Sequence, residues 1–191
     1  MRFFWVRHGP THAKGMVGWT DLPADLSDTA QIARVSDHLP KDAVVISSDL
    51  TRSITTADAI QGARKRLPHD PDLREMHFGD WELKRSGDIA QSHPDLSRAF
   101  WTDPGDHRPP NGESWGDMTI RTGNAVDRLM ASHAGRDVIV VAHFGVILGR
   151  VADHTNTPPR KVLGQKIDNL SITELRWDGN DWHLGAINHL P

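Results

Sequence analysis

Short runs of apolar residues alternate with amphipathic segments along the chain. Three of these runs are rich in β-branched or aromatic side chains and are too short for buried helices: Phe3–Val6, Ala43–Ile46 and Val138–Ala142. Each predicts an interior strand. Two later stretches, Leu170–Trp177 and Trp182–Ile187, flank the turn sequence Asp178-Gly179-Asn180-Asp181. That arrangement is typical of a β-hairpin.

Helical periodicity fills the gaps between the predicted strands. Residues Ser27–Leu39 repeat apolar side chains at helical spacing, with Ser27 as the expected N-cap. Thr51–Arg66 follows the second strand and Phe144–Val151 follows the third, and both predict helices. Alternation of strands and helices favours a mostly parallel sheet. We therefore expect an α/β fold, a three-layer sandwich with a mostly parallel central sheet and helices on both faces.

The segment from about residue 75 to residue 135 has a different pattern. Pro, Gly and Trp are dense there, and no strand-like run appears. This predicts an inserted, mainly helical lobe, whose longest helix covers Ser114–Ser132 and whose Asp103–Gly112 stretch is a loop. A length of 191 residues favours one domain spanning residues 1–191.

Composition narrows the possible functions. The chain has 22 Lys and Arg against 25 Asp and Glu, for a net charge of −3, which disfavours a nucleic-acid partner. The absence of Cys excludes disulfides, thiol nucleophiles and Cys-ligated zinc. The 12 His residues show no HExxH or other paired ligand spacing, so we expect no dedicated metal site. No apolar run suits a membrane span or a signal peptide, so we expect no membrane partner and a cytoplasmic protein.

Polar and basic residues directly follow each predicted interior strand. Arg7 and His8 follow the first strand, Arg52 lies shortly after the second, and His143 follows the third. Because the carboxyl ends of parallel strands share one edge, these groups are expected to meet there. Imidazoles and guanidiniums attract a carboxylate or a phosphate. Phosphate is favoured, because helix N-termini at the same edge offer free backbone N–H groups.

The segment Val6–Thr11 resembles the Arg-His-Gly signature of the histidine phosphatase superfamily, also called phosphoglycerate mutase-like. Further segments match the family in the same order: Ser48–Arg52 with Thr56-Ala57, Leu73–Glu75 with Gly79–Glu82, Gly112–Ser114, and His143 at the position of the second histidine. The resemblance covers roughly residues 2 to 150. This ordered combination is far more specific than any single motif.

The resemblance implies a role for each of five side chains. His8 would be the nucleophile, which is transiently phosphorylated. Arg7, Arg52 and His143 would bind the phosphoryl oxygens. Glu75 would protonate the leaving group and later activate water. The family chemistry needs neither a metal nor another cofactor.

Three further residues bear on the site. Glu82 competes with Glu75 for the role of acid, although a surface carboxylate is the expected reading. Lys14 stands where the family commonly has Asn and can still donate to phosphate. Phe144 stands where the family has Gly, and its backbone N–H can point at the phosphate. We therefore count Lys14 and Phe144 as expected substrate-binding residues.

The expected reaction is hydrolysis of a small phosphorylated metabolite, a phosphomonoester, through a phosphohistidine and without a metal. The alternative is phosphoglycerate mutase-type phosphoryl transfer, which is disfavoured because the predicted lobe is short and few residues follow Ile187. A non-catalytic phospho-ligand-binding protein is also disfavoured, because all five catalytic side chains are present. The physiological substrate and a homodimer stay open.

The aromatic residues near the motifs have two readings. Their side chains either stack on the substrate or pack the interior of the lobe. The residues concerned are Trp19, Trp81, Phe100, Trp101 and Trp115.

Overall fold

The computed structural model describes all residues from 1 to 191 and contains one six-stranded sheet. Its strands are β1 (Arg2–Arg7), β2 (Val44–Ser47), β3 (Lys65–Arg66), β4 (Val138–Ala142), β5 (Ile172–Trp177) and β6 (Trp182–Leu184). The spatial order is β3-β2-β4-β1-β5-β6. The four strands from β3 to β1 in that order are parallel, β5 is antiparallel to β1, and β6 is antiparallel to β5. The prediction of a mostly parallel sheet with a terminal hairpin is confirmed.

Seven helices accompany the sheet. They are α1 (Thr29–His38), α2 (Thr51–Ile60), α3 (Ser86–Ser92), α4 (Pro94–Thr102), α5 (Trp115–Ser132), α6 (Phe144–His154) and α7 (Pro159–Val162). Two short 3₁₀ turns cover Pro71–Leu73 and Gly79–Trp81. None of the helices combines the length and the apolar character that a membrane crossing requires.

The two faces of the sheet pack against different helices. Phe3 and Trp5 on β1 belong to the larger core, which has 25 buried residues and includes side chains from α5 and α6. Phe4 and Val6 on the same strand belong to a second core of 13 residues, formed with α1 and α2. Alternate strand residues point to opposite faces, so one strand serves both cores. The three-layer α/β architecture follows from this arrangement and is confirmed.

The start of α1 differs from the sequence prediction. The N-cap is Asp28 and not Ser27, because the Asp28 carboxylate accepts a hydrogen bond from the backbone N–H of Gln31 at 2.9 Å. Ser27 instead donates its backbone N–H to Asp25 Oδ1 at 2.9 Å. Both residue types are good N-caps, so the sequence could not choose between neighbours.

The end of α2 also differs from the prediction. The helix stops at Ile60 and does not continue to Arg66. Gly62 adopts φ +57°, a left-handed conformation that ends helices and suits glycine. The chain then extends, and Lys65 and Arg66 pair with β2 as the short edge strand β3. Two polar residues on an edge strand carry no apolar signal, so the sequence did not reveal β3.

Residues 75–135 contain helices and no strand. Helices α3 and α4 pack against each other, whereas α5 packs along α6. The predicted long helix is present. Ser114 caps it in a reciprocal pair with Asp117, in which each side chain accepts a hydrogen bond from the other residue's backbone N–H, at 3.1 and 2.9 Å.

Candidate active site

The predicted basic residues meet at the carboxyl edge of the sheet. β1 and β4 pair in parallel with Arg7 opposite Ala142, so the next residues, His8 and His143, leave the sheet side by side. Their ring centroids are 5.1 Å apart. Arg52 reaches the same point from the first turn of α2, with its Nε 3.2 Å from His8 Nε2. The structure thus brings together groups that are up to 136 residues apart in the chain, as the strand order requires.

His8 is held as one tautomer by its neighbours. Its side chain is buried, and its Nδ1 lies 2.6 Å from the carbonyl oxygen of Gly9, so Nδ1 carries the proton and donates it. Nε2 is then the acceptor for the Nε–H of Arg52. Burial, followed by the charges of Arg52 and Arg7, lowers the pKa of His8 to about 3. The imidazole is therefore neutral near pH 7, with a lone pair on Nε2.

The two guanidiniums are fixed by backbone carbonyls. Arg52 is fully buried and donates from Nη2 to Gly18 O at 2.6 Å and from Nη1 to Thr20 O at 3.0 Å. Arg7 donates from Nη1 to Ile167 O at 2.6 Å. Burial lowers the pKa of both arginines, but a guanidinium stays charged in proteins. Two positive charges therefore stand beside the neutral His8.

His143 has one ring nitrogen without a partner in the protein. Its Nε2 lies 2.8 Å from the hydroxyl of Ser48, and its buried Nδ1 makes no hydrogen bond. Burial, together with the nearby charge of Arg52, lowers the pKa of His143 well below its usual value. A buried polar nitrogen without a partner is costly, so Nδ1 is suited to meet an oxygen of a bound molecule.

Glu75 is a buried carboxyl group among these cations. Its Oε1 accepts the backbone N–H of Met76 and its Oε2 that of Gly145, both at 2.9 Å. Burial raises its pKa, against the opposing effects of these hydrogen bonds and of the Arg52 and Arg7 charges. A Cβ on Gly145 would lie 2.6 Å from Glu75 Oε1, so a larger residue there would displace the carboxyl group. Glu75 is thus a carboxyl group that holds its proton at higher pH than an exposed one.

Glu82 has a different role from either predicted one. Its half-buried carboxylate accepts the backbone N–H groups of Gly18 at 3.0 Å, Trp19 at 2.8 Å and Phe78 at 3.1 Å, and the hydroxyl of Thr20 at 2.7 Å. Burial alone would raise the pKa of Glu82, but the hydrogen bonds lower it overall. Glu82 is therefore an ionised acceptor that holds the loop whose Gly18 and Thr20 carbonyls bind Arg52. The expectation of a surface carboxylate was wrong.

Arg121, on α5, also supports the site, and the sequence did not predict it. Arg121 donates to the carbonyl of Arg74 at 3.0 Å and to that of Glu75 at 3.3 Å, and it pairs with Glu113 at 2.8 Å. Trp19 Nε1 donates to the same Glu75 carbonyl at 2.7 Å. These bonds fix the backbone that carries the Glu75 carboxyl group. Because the acceptors are backbone oxygens, no sequence motif predicts these contacts.

A cavity of about 230 Å³ opens beside these groups. Arg7, His8, Arg52 and Glu75 line its polar part. The rest of the wall includes apolar side chains, namely Ala13, Met16, Val17, Phe78, Trp101 and Phe144. The two expected substrate-binding residues differ: Phe144 lines the cavity, whereas Lys14 is exposed and does not. A role for Lys14 stays a prediction.

The five aromatic residues that had two readings also divide. Trp81, Phe100 and Trp115 are buried in the larger core, where they pack the protein. Trp19 is half-buried and stacks with the guanidiniums of Arg74 and Arg121, at 4.8 and 5.8 Å from its ring centroid. Trp101 is exposed and lines the cavity.

Comparisons with known proteins agree with the geometry. The family model of the histidine phosphatase superfamily (branch 1) matches residues 3–190. The chain is 32% identical over 198 residues to phosphoglycerate mutase-like protein 4 of Arabidopsis thaliana, covering 97% of this chain and 85% of that protein. It is 32% identical over 154 residues to adenosylcobalamin/alpha-ribazole phosphatase of Salmonella typhimurium, covering 77% and 76%.

A solved structure, that of Bacillus stearothermophilus YhfR, has the same fold. It matches with a TM-score of 0.90 and 27% sequence identity, covering 100% of this chain and 98% of that one. The family model spans nearly the whole sequence, and the Arg-His-Gly signature lies at the carboxyl end of β1. The chain belongs to the histidine phosphatase superfamily.

Proposed function

We propose that this protein hydrolyses a small phosphorylated metabolite, a phosphomonoester, through a phosphohistidine on His8 and without a metal. One observation carries the proposal: His8 is held neutral with its Nε2 lone pair beside Arg52, in a cavity that also contains the raised-pKa carboxyl group of Glu75. These are the nucleophile, the charge stabiliser and the acid of a phosphoryl transfer.

In the first half-reaction, the Nε–H of Arg52 moves from His8 Nε2 to a phosphoryl oxygen, Nε2 attacks phosphorus with the freed lone pair, and the bond to the leaving oxygen breaks. Glu75 gives its proton to that oxygen, which leaves as an alcohol. Arg7 and Arg52 stabilise the negative charge on the phosphoryl oxygens. Nδ1–H of His143 suits the same task, because Nε2 can accept the Ser48 hydroxyl proton. The Nδ1–H of His8 continues to donate to the Gly9 carbonyl oxygen and keeps the ring oriented.

In the second half-reaction, water attacks the phosphohistidine. The Glu75 carboxylate, which lost its proton in the first step, takes a proton from the water. The P–N bond breaks, inorganic phosphate forms, and Nε2 regains its lone pair. The enzyme returns to its starting protonation state without any other reactant.

Phosphoglycerate mutase-type transfer is the alternative. It requires a second anionic group to be bound while the phosphoryl group stays on the histidine. The cavity wall has no cation besides Arg7 and Arg52, which favours hydrolysis. The relative from Salmonella typhimurium, which is named a phosphatase, supports the same choice. A non-catalytic role is disfavoured, because all five catalytic side chains meet at one edge of the sheet.

Phosphoenzyme trapping tests the proposal. Wild-type protein mixed with a radiolabelled aryl phosphate and quenched in alkali is expected to retain label that acid releases, as a phosphohistidine does. His8→Ala is expected to retain none and to lose turnover, whereas His183→Ala, which removes an exposed histidine on β6, is expected to match wild type. Turnover by a folded His8→Ala protein would overturn the covalent mechanism.

A further inference from the structure

The cavity wall divides into a charged part and an apolar part. Its only charged side chains are Arg7, Arg52 and Glu75. The proposed function commits all three to the phosphoryl group and the proton. No charged group of the wall is left to recognise the rest of the substrate.

The apolar part of the wall is rich in large side chains. Met16, Phe78, Trp101 and Phe144 all line it. The Trp101 side chain is 42% exposed, and it is the only one of the five Phe and seven Trp residues that is exposed. Large apolar side chains left open beside a polar site are typical of ligand-binding surfaces.

Trp101 packs against Phe100, which belongs to a larger aromatic cluster. Its ring meets Phe100 edge to face, with centroids 5.0 Å apart and planes at 89°. Phe100 is itself buried and makes similar contacts with Trp81 at 5.4 Å and Phe78 at 6.4 Å. Because this cluster fixes Trp101 before any ligand binds, stacking on it costs little conformational entropy.

Phe144 connects the apolar wall to the phosphate-binding groups. Its ring centroid lies 5.5 Å from the guanidinium carbon of Arg7. The whole cavity holds about 230 Å³, less than the roughly 300–1,000 Å³ of sites that enclose drug-sized ligands. A large leaving group on a phosphate bound at His8 must therefore contact the apolar wall, which includes Phe144 and Trp101.

We propose that Phe78, Trp101 and Phe144 form an aromatic mouth that binds the leaving group and selects phosphomonoesters of alcohols that carry an uncharged planar ring. A ring stacks on this mouth, whereas a second anionic group would meet apolar side chains and lose its hydration. This inference rests on the proposed function and names its substrate class.

The alternative to the aromatic mouth is a site in which exposed lysines bind a second anionic group of the substrate. Lys14 precedes the wall residues Gly15 and Met16, and the carbonyl of Lys84 accepts the backbone N–H of Met16 at 2.9 Å. Neither lysine lines the cavity. If the natural substrate carried a second anionic group, Lys14 and Lys84 would be the first cations to test as its partners.

Three synthetic substrates separate the two arrangements. Benzyl, cyclohexylmethyl and 4-carboxybenzyl phosphate are all esters of primary alcohols, so their leaving oxygens are chemically alike. We expect kcat/KM for benzyl phosphate to exceed that for 4-carboxybenzyl phosphate about 10-fold or more, because the mouth does not pair the carboxylate. Cyclohexylmethyl phosphate, which lacks a planar ring, is expected to rank below benzyl phosphate.

Variants assign the preference to named residues. Trp101→Ala is expected to lower kcat/KM for benzyl phosphate about 3- to 10-fold more than that for methyl phosphate, the scale of one lost aromatic contact. Phe144→Ala is expected to reduce the same ratio. Ile120→Ala truncates an apolar side chain that is 69% exposed on α5 and outside the cavity, and it is expected to leave the ratio unchanged.

The outcomes distinguish failure of the aromatic mouth from failure of the proposed phosphatase function. A preference for 4-carboxybenzyl phosphate that Lys14→Ala or Lys84→Ala removes would overturn the aromatic mouth and leave the phosphatase intact. Equal losses on benzyl and methyl phosphate in Trp101→Ala would also overturn it. Turnover of none of these substrates, or turnover that does not depend on His8, would remove the proposed function and this inference with it.

Discussion

Arg52 donates a hydrogen bond from its Nε to Nε2 of His8, at 3.2 Å. A guanidinium has no acceptor atom, so the imidazole must offer its lone pair, and the pair therefore selects the nucleophilic tautomer. Arg52 is in turn held by the carbonyls of Gly18 and Thr20. The alignment of the nucleophile thus depends on the loop that Glu82 binds.

Glu82→Gln tests that dependence. Hydrogen-bond donors converge on both oxygens of the Glu82 carboxylate, and an amide NH₂ in place of one oxygen would face donors instead of accepting them. The loop and Arg52 should shift, which lowers kcat/KM about 10- to 100-fold, the scale of a small misplacement of reacting groups. Steady-state kinetics and the phosphoenzyme burst measure this loss.

The same experiment separates positioning from acid catalysis by Glu82. A positioning residue affects aryl and alkyl phosphates alike and leaves the pH profile in place. A loss confined to alkyl phosphates, which need a proton donor, would instead make Glu82 the acid.

The stability of the fold should depend on pH through His8. Its pKa is lowered by burial to about 3 in the folded protein, whereas an unfolded histidine takes up a proton near pH 6.5. The unfolded state therefore binds more protons between these two values. The contribution of His8 to the free energy of unfolding is complete above about pH 6.5 and decreases as pH falls toward the folded-state pKa. Each such group contributes a slope of about 1.4 kcal/mol per pH unit.

Chemical denaturation of wild type and His8→Ala at pH values from 7 to 4 measures that slope. The slope of unfolding free energy against pH is expected to be about 1.4 kcal/mol per pH unit smaller in the variant than in wild type, because the variant lacks one buried histidine. Burial also lowers the pKa of His143, so some slope should remain. Identical slopes in the two proteins would show that His8 is protonated in the folded state.

The sequence predicted the part of the molecule that depends on contiguous apolar runs and on recognisable motifs. β1, β2 and β4 are such runs, and their carboxyl ends brought Arg7, His8 and His143 to one edge. The roles of Glu82 and Arg121 were not predictable, because their partners are backbone N–H and C=O groups of loops. Residue identity does not encode such contacts until the loops are folded.

Chelation is expected to leave the activity unchanged. Arg7 and Arg52 supply positive charge at the phosphoryl position, and no group of three or more His, Asp or Glu side chains is arranged to hold a metal ion. Turnover of an aryl phosphate measured before and after prolonged dialysis against EDTA checks this. Loss of turnover that one added divalent metal restores would contradict it.

Glu75→Gln is expected to slow hydrolysis of an alkyl phosphate by roughly 10²–10⁴-fold, the scale of a positioned proton donor. An alkoxide is a poor leaving group and needs the proton, whereas an aryl oxide leaves without it. Burial raises the pKa of Glu75, so the acid form persists to higher pH than that of an exposed carboxyl group and is lost as pH rises through that pKa. Wild type should therefore show an alkaline decline on alkyl phosphates that the variant lacks.

The phosphoenzyme burst with an aryl phosphate is the control for this assignment. The burst reports the first half-reaction alone, so Glu75→Gln should change it much less than it changes alkyl turnover. Steady-state aryl turnover can still fall, because Glu75 also activates water in the second half-reaction. If the burst slows equally for both substrate types, Glu75 acts through charge or position. If alkyl turnover stays normal, the proton comes from another residue.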